Sequence, residues 1–150
     1  APACDRCPVA RWCDAGRRGD AAELPRFAPK ARRTDEVSRG LVRHRGRVLL
    51  HRLPRDARRL AGMAELPALA VLGVAARGEP TLVRRRTIGN VTYEERLHAL
   101  PVAAADVRRW TRDPVLEWVA EAALDAAALT GPHRRWLGEW LSPAGRTARG

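Results

Sequence analysis

Leu41-Val42-Arg43-His44-Arg45-Gly46-Arg47-Val48-Leu49-Leu50-His51-Arg52, followed after a loop by Leu60-Ala61-Gly62-Met63-Ala64-Glu65-Leu66-Pro67, is the stretch from which the architecture can be read. Aliphatic residues flank a central Arg45-Gly46 turn signal, the pattern of a β-hairpin. Arg55-Asp56-Ala57-Arg58-Arg59-Leu60-Ala61-Gly62 reads as a loop. Working outward, residues 69–76 form one apolar stretch that suits a strand or a short helix equally. Strands are expected at 81–83 and at 95–102. In the second, Leu97, Ala99 and Pro101 share one face and Arg96 and His98 the other. Residues 106–110 are too short a run to assign. Residues 115–119 read as a strand, 120–128 as an alanine-rich helix, and Gly131-Pro132 opens a last helix over 133–141. Trp110, Trp118, Trp136 and Trp140 are assigned to packing because of their large apolar area. Strands mixed with a few helices, without regular alternation, indicate an α+β or α/β sandwich.

Four segments follow from composition. Residues 1–16 hold all three cysteines. Residues 17–39, rich in Arg, Pro, Gly and Asp with Pro25 and Pro29, read as a surface connector that Leu24 and Phe27 could pin. A compact domain spans 40–141, and 142–150 is expected to be a disordered tail. The chain has 150 residues and a net charge of +11, and Lys30 is its only lysine. An arginine-based surplus favours polyanionic partners, nucleic acid first. No apolar run approaches the ~20 residues of a membrane span. The start, Ala1-Pro2-Ala3-Cys4, reads as an internal segment of a longer protein. An odd, clustered cysteine count argues against a secreted disulfide framework and for the cytoplasm.

Cys4-x2-Cys7-Pro8-x4-Cys13 places three soft thiolates in a short segment, which suits an iron–sulfur cluster or zinc. Three ligands are one short of a closed site. A fourth cysteine upstream, or His44 as a distant zinc ligand, would complete it.

The cysteine spacing resembles the cluster loop of the endonuclease-III and MutY glycosylases, which carries a further cysteine six residues before the first one seen here. Residues 48–52 with 60–67 resemble the MutY C-terminal domain, although Ala64 stands where that family usually has Trp. Leu116-Glu117-Trp118-Val119 and Leu129-Thr130-Gly131-Pro132-His133-Arg134-Arg135-Trp136-Leu137 resemble its closing strand and helix. The resemblance implies a Nudix-like α/β/α sandwich with a mixed sheet, preceded by an irregular iron–sulfur loop and a linker. It implies a 4Fe–4S cluster on Cys4, Cys7 and Cys13, with the fourth cysteine upstream, in a loop whose basic residues contact DNA phosphate, which makes Arg6, Arg11, Arg17 and Arg18 candidates for such contacts. It also implies a monomeric bacterial, nucleoid-associated enzyme of base excision repair that removes adenine opposite 8-oxoguanine or guanine in double-stranded DNA. The catalytic Glu and Asp of that family lie in its N-terminal helical domain, so no catalytic residue is expected in this chain.

The same resemblance points to Thr87-Ile88-Gly89-Asn90-Val91-Thr92-Tyr93, preceded by Arg84-Arg85-Arg86, as the lesion-checking loop. Thr87, Asn90 and Thr92 can satisfy a base edge, Gly89 permits close approach, Tyr93 can wedge or stack, and Arg86 joins Arg11 as a DNA contact. By its own chemistry Gly89-Asn90 reads equally as a plain turn. A Nudix hydrolase needs a helix of carboxylates to hold magnesium. Glu65 and Glu79 are isolated, and Glu94-Glu95 lacks a helical pattern, so pyrophosphate hydrolysis is not expected. The alternatives are a free-standing zinc-containing DNA-binding module and a Nudix-type nucleotide hydrolase.

Overall fold

The computed structural model describes residues 2–24, 26 and 31–142. The connector positions Pro25, Phe27 and Pro29 and the tail from 143 lie outside the described residues. The chain forms two units, Ala1–Arg32 and Arg33–Gly150.

The first unit is built of turns. Single 3₁₀ turns occupy Cys4–Arg6, Ala10–Trp12 and Ala21–Glu23, and a short helix α1 spans Asp14–Arg18. Gly19, at φ 72°, ends α1 in the left-handed conformation. None of the unit's described residues is buried.

The second unit holds β1 (Arg33–Leu41), β2 (Arg43–His44), β3 (Arg47–Arg52), β4 (Ala64–Glu65), α2 (Leu69–Leu72), β5 (Leu82–Ile88), β6 (Val91–Ala99), α3 (Ala104–Arg112), β7 (Leu116–Ala120) and α4 (Gly131–Leu141). One sheet runs β1-β6-β5, with β1 parallel to β6 and β5 antiparallel to it. The other is antiparallel, with β3 paired to β2, β4 and β7. The β2–β3 hairpin turns at Arg45 and Gly46, both at positive φ (47° and 69°), as a two-residue turn of matching twist requires.

Alternation along β3 explains the layers. Val48 and Leu50 pack with Leu41, Leu66, Leu97 and the α4 residues Trp136, Leu137 and Trp140. Leu49 packs on the opposite side with Leu69 and Leu72 of α2 and Trp110 of α3. Helices therefore cover both faces of the strands, and the domain is an α+β, Nudix-like sandwich with mixed strand directions. Trp110, Trp136 and Trp140 are buried, and Trp118 is half-buried with its indole N–H on Thr111 at 3.1 Å.

The structure corrects several expectations. The domain's first strand begins at Arg33, seven residues before the expected start at Gly40, because β1 completes a ladder with β6 that local composition cannot reveal. Residues 69–76 yield a single helical turn stopped by Gly73 at φ 63°. Residues 104–112 are a helix whose Asp106 carboxylate accepts the Ala103 N–H at 3.4 Å. The expected helix at 120–128 is a 3₁₀ turn, Glu121–Ala123, followed by further turns. There Ala64 N–H donates to Ala128 O at 2.8 Å and Thr130 N–H to Ala64 O at 3.0 Å. This bridge to β4 draws the backbone away from helix despite six alanines of high helix propensity.

Candidate nucleic-acid interface

The segment singled out as a lesion-checking loop is the tip of the β5–β6 hairpin. Ile88 pairs with Val91 and Thr87 with Thr92 across the two-residue turn Gly89-Asn90. Gly89 sits at φ 62°, and the Thr87 and Thr92 hydroxyls lie 3.2 Å apart. Thr87, Ile88, Gly89 and Asn90 are exposed, and Thr92 is half-exposed. The turn thus presents two hydroxyls, a carboxamide and an aliphatic side chain at one sheet end, donors and acceptors suited to a base edge.

The arginines before it are not a free cationic face. Arg84 bonds Glu139 of α4 at 2.5 Å, Arg85 bonds Glu94 at 2.7 Å, and Arg86 bonds Glu95 at 2.7 Å. Strand alternation sends Arg84 and Arg86 inward and Arg85 outward. Arg86 also lies 5.2 Å from the centroid of the Tyr93 ring, its cross-strand partner. Tyr93 is half-buried beneath that guanidinium, so both belong to the hairpin's support. The Arg85 carboxylate partner, Glu94, is held below its ordinary value, first by the Arg85 hydrogen bond.

Beneath the hairpin lies a polar network that sequence reasoning missed. Glu95 is fully buried and takes Arg39 Nε at 2.5 Å on one oxygen and Arg86 on the other. Arg39, itself buried, also donates to Leu66 O at 2.5 Å and meets Glu65 at 3.1 Å. His51 stands 3.6 Å from Glu65. Burial raises the Glu65 carboxyl, but His51 and the Arg39 guanidinium together outweigh it and hold the group down to about 2. His133 is buried and accepts the Leu66 N–H on Nδ1 at 2.8 Å. Its proton therefore sits on Nε2, 3.9 Å from Glu65. Burial first, and Arg39 next, push His133 down to about 3, so the ring is neutral. His98 was expected on a polar face with Arg96. It is on that face, but buried, because α2 and its flanks cover the sheet there: a Cβ added at Gly40, its β1 partner, would meet Leu72 at 2.6 Å.

In the first unit Cys4 is exposed, and Cys7 and Cys13 are half-buried, all three as free thiols. Among the described residues, no three His, Cys, Asp or Glu side chains are gathered to hold a metal ion. The cysteines match a thiolate cluster in donor chemistry and fall short of one in arrangement. Arg11 lies in this unit with its guanidinium 3.7 Å from the centroid of the exposed Trp12 ring. Arg6 and Arg17 are each beside an aspartate, Asp5 and Asp14.

The short helix α2 is a single apolar turn, Leu69-Ala70-Val71-Leu72, and carries no carboxylate. Arg109 at 2.8 Å and the Trp110 indole at 3.2 Å both donate to its last carbonyl, Leu72 O. Glu79 is exposed outside the strands, and Glu94 and Glu95 are engaged by arginines.

The fold is the one found in Nudix hydrolases. The chain is similar to the solution structure of the E. coli ORF135 protein, with a TM-score of 0.55 and 20% identity over 79% of this chain and 94% of that chain. It is also similar to the crystal structure of the MutT protein from Methanosarcina mazei Go1, with a TM-score of 0.57 and 16% identity over 79% and 98%. No protein-family model and no curated protein matches it. No helix among the described residues is long and apolar enough to cross a membrane.

Proposed function

We propose that this chain is the C-terminal, lesion-checking part of an adenine DNA glycosylase of the MutY kind. The observation that carries the reading is the succession, in one chain, of a three-thiol unit built of turns and a Nudix-like domain. The Gly89-Asn90 turn, with Thr87 and Thr92 beside it, reads the base opposite the target adenine. The buried Arg39–Glu95–Arg86 network fixes the hairpin that carries it. Cys4, Cys7 and Cys13 supply three of four ligands to a 4Fe–4S cluster, which would shape a unit none of whose described residues is buried. Arg11 contributes a phosphate contact. Excision of adenine from a flipped nucleotide takes place in a helical domain outside the 150 residues.

One observation favours a second reading, a nucleotide pyrophosphohydrolase: the fold itself. Against it stands α2, one apolar turn without a carboxylate. Fluorescence anisotropy with duplexes containing A:8-oxoguanine, A:G or only matched pairs tests the first reading, and magnesium-dependent turnover of nucleoside triphosphates tests the second. The glycosylase reading expects duplex binding and no turnover. Turnover without duplex binding reverses the assignment.

A further inference from the structure

The arginines of the β5–β6 hairpin are each engaged by a glutamate, whereas Arg55, Arg58 and Arg59 are exposed and make no side-chain hydrogen bond or ion pair with a described residue. Arg45, Arg47, Arg77, Arg108, Arg112 and Arg135 are exposed and unpaired among the described residues as well, but only Arg55, Arg58 and Arg59 gather three in one loop. All three sit in the loop at 54–62, where Asp56 is the only acidic residue. The loop is nonetheless ordered at its base. Leu53 N–H donates to Met63 O at 2.9 Å, and Pro54 O accepts from Ala57 at 3.1 Å and from Gly62 at 3.3 Å. Arg52 ties in the far side by donating to Gly62 O at 2.9 Å.

At the crown stands Leu60, 47% exposed and at φ 56°. A branched aliphatic residue rarely adopts the left-handed conformation, and doing so costs roughly 1–2 kcal/mol. Here that cost accompanies the display of an apolar side chain to solvent rather than its burial. Beside it lies an open hollow lined by Arg52, Arg55, Ala61, Gly62, Met63 and Ala128.

We propose that this loop is a second duplex-binding element, distinct from the β5–β6 turn: Arg55, Arg58 and Arg59 engage backbone phosphates while Leu60 presses as a wedge against a base step. The assignment rests on the duplex-binding reading above. Guanidinium forks match phosphate oxygens, and a single aliphatic side chain flanked by such contacts is the device by which proteins unstack a step. An anionic membrane would offer the same phosphates, but one exposed leucine is too small an apolar face to anchor there.

The full 150-residue chain, its Arg55→Ala/Arg58→Ala/Arg59→Ala triple variant and Leu60→Gly would be titrated with a 2-aminopurine-labelled duplex over a range of salt. Each lost phosphate contact lowers the slope of log K against log salt by about 0.9. The triple variant is expected to lose about two to three in slope and at least tenfold in affinity, equally for damaged and undamaged DNA. Leu60→Gly suits the positive φ, so its melting temperature is expected to hold or rise. It should keep the salt slope and lose the 2-aminopurine brightening. An unchanged slope in the triple variant, or brightening that survives Leu60→Gly, overturns the proposal while leaving duplex binding intact. A wild-type chain that binds no duplex overturns the function reading along with it. Binding to phosphatidylserine vesicles that the triple variant alone abolishes, with DNA affinity unchanged, assigns the loop to lipid instead.

Discussion

Arg39 joins more of this domain than any residue a sequence pattern would highlight. Its guanidinium meets Glu95, Glu65 and the Leu66 carbonyl. Removing one partner from a buried ion pair costs about 3–5 kcal/mol because the remaining charge is left unpaired. Arg39→Met is therefore expected to lose several kcal/mol in urea unfolding, whereas Arg85→Met, on a guanidinium 73% exposed, loses less than about 1 kcal/mol. His133 gives a pH signature. Its ordinary value of 6.5 is depressed to about 3 in the folded state, so its contribution is complete above pH 6.5 and is lost as pH falls toward 3. Glu65, depressed from 4.5 to about 2, adds a second loss as pH falls from 4.5 toward 2. Stability should be flat above pH 6.5 and decline steadily below it, and His133→Gln should flatten the part of the decline between 6.5 and 4.5. A urea midpoint that rises between pH 6.5 and 4.5 in the wild type would contradict this. None of these partners was legible in the sequence. Arg39 and Glu95 stand 56 positions apart, and each alone looks like a solvated charge.

Elements with local signals were legible. Arg45-Gly46 marked a hairpin turn, and Gly131-Pro132 marked the start of α4, both as observed. The Gly89-Asn90 turn was legible as a turn. The flanking strands were longer than their patterns, because Arg84, Arg86 and Glu95 are inward-facing charges that break hydrophobic alternation yet pair with one another. The alanine-rich stretch misled in the opposite way, its propensity overridden by the bridge to β4. Gly89, at φ 62° and with nothing within 4 Å of an added Cβ, is constrained by its backbone conformation. Gly89→Val is expected to cost about 1–2 kcal/mol in thermal or urea unfolding. A harmless Gly89→Val would mean that the turn relaxes readily to another form. At Gly40 the constraint is space. An added Cβ would lie 2.6 Å from Leu72 and 3.1 Å from Leu100, so Gly40→Ala is expected to lose about 1–3 kcal/mol through overpacking.

At the scale of the whole molecule, the Nudix-like frame carries α2 as one apolar turn without a carboxylate. A fold of this kind can serve recognition as well as catalysis, because activity resides in the residues grafted on it. Charge alone pointed to nucleic acid. In the function proposed above, the hairpin tip reads the base and the loop at 54–62 grips the backbone. The purified chain is expected to release no adenine from an A:8-oxoguanine duplex, since its proposed role lacks the excision machinery. The decisive titration compares duplexes that differ only in 8-oxoguanine or guanine opposite adenine, for the wild type and for Thr87→Ala/Asn90→Ala. A polar contact set reading one base contributes about 1–3 kcal/mol of discrimination. The wild type should favour the 8-oxoguanine duplex by roughly tenfold, and the double variant should bind both duplexes equally with its overall affinity for matched DNA retained. Equal binding of the two duplexes by the wild type would contradict lesion reading at this hairpin.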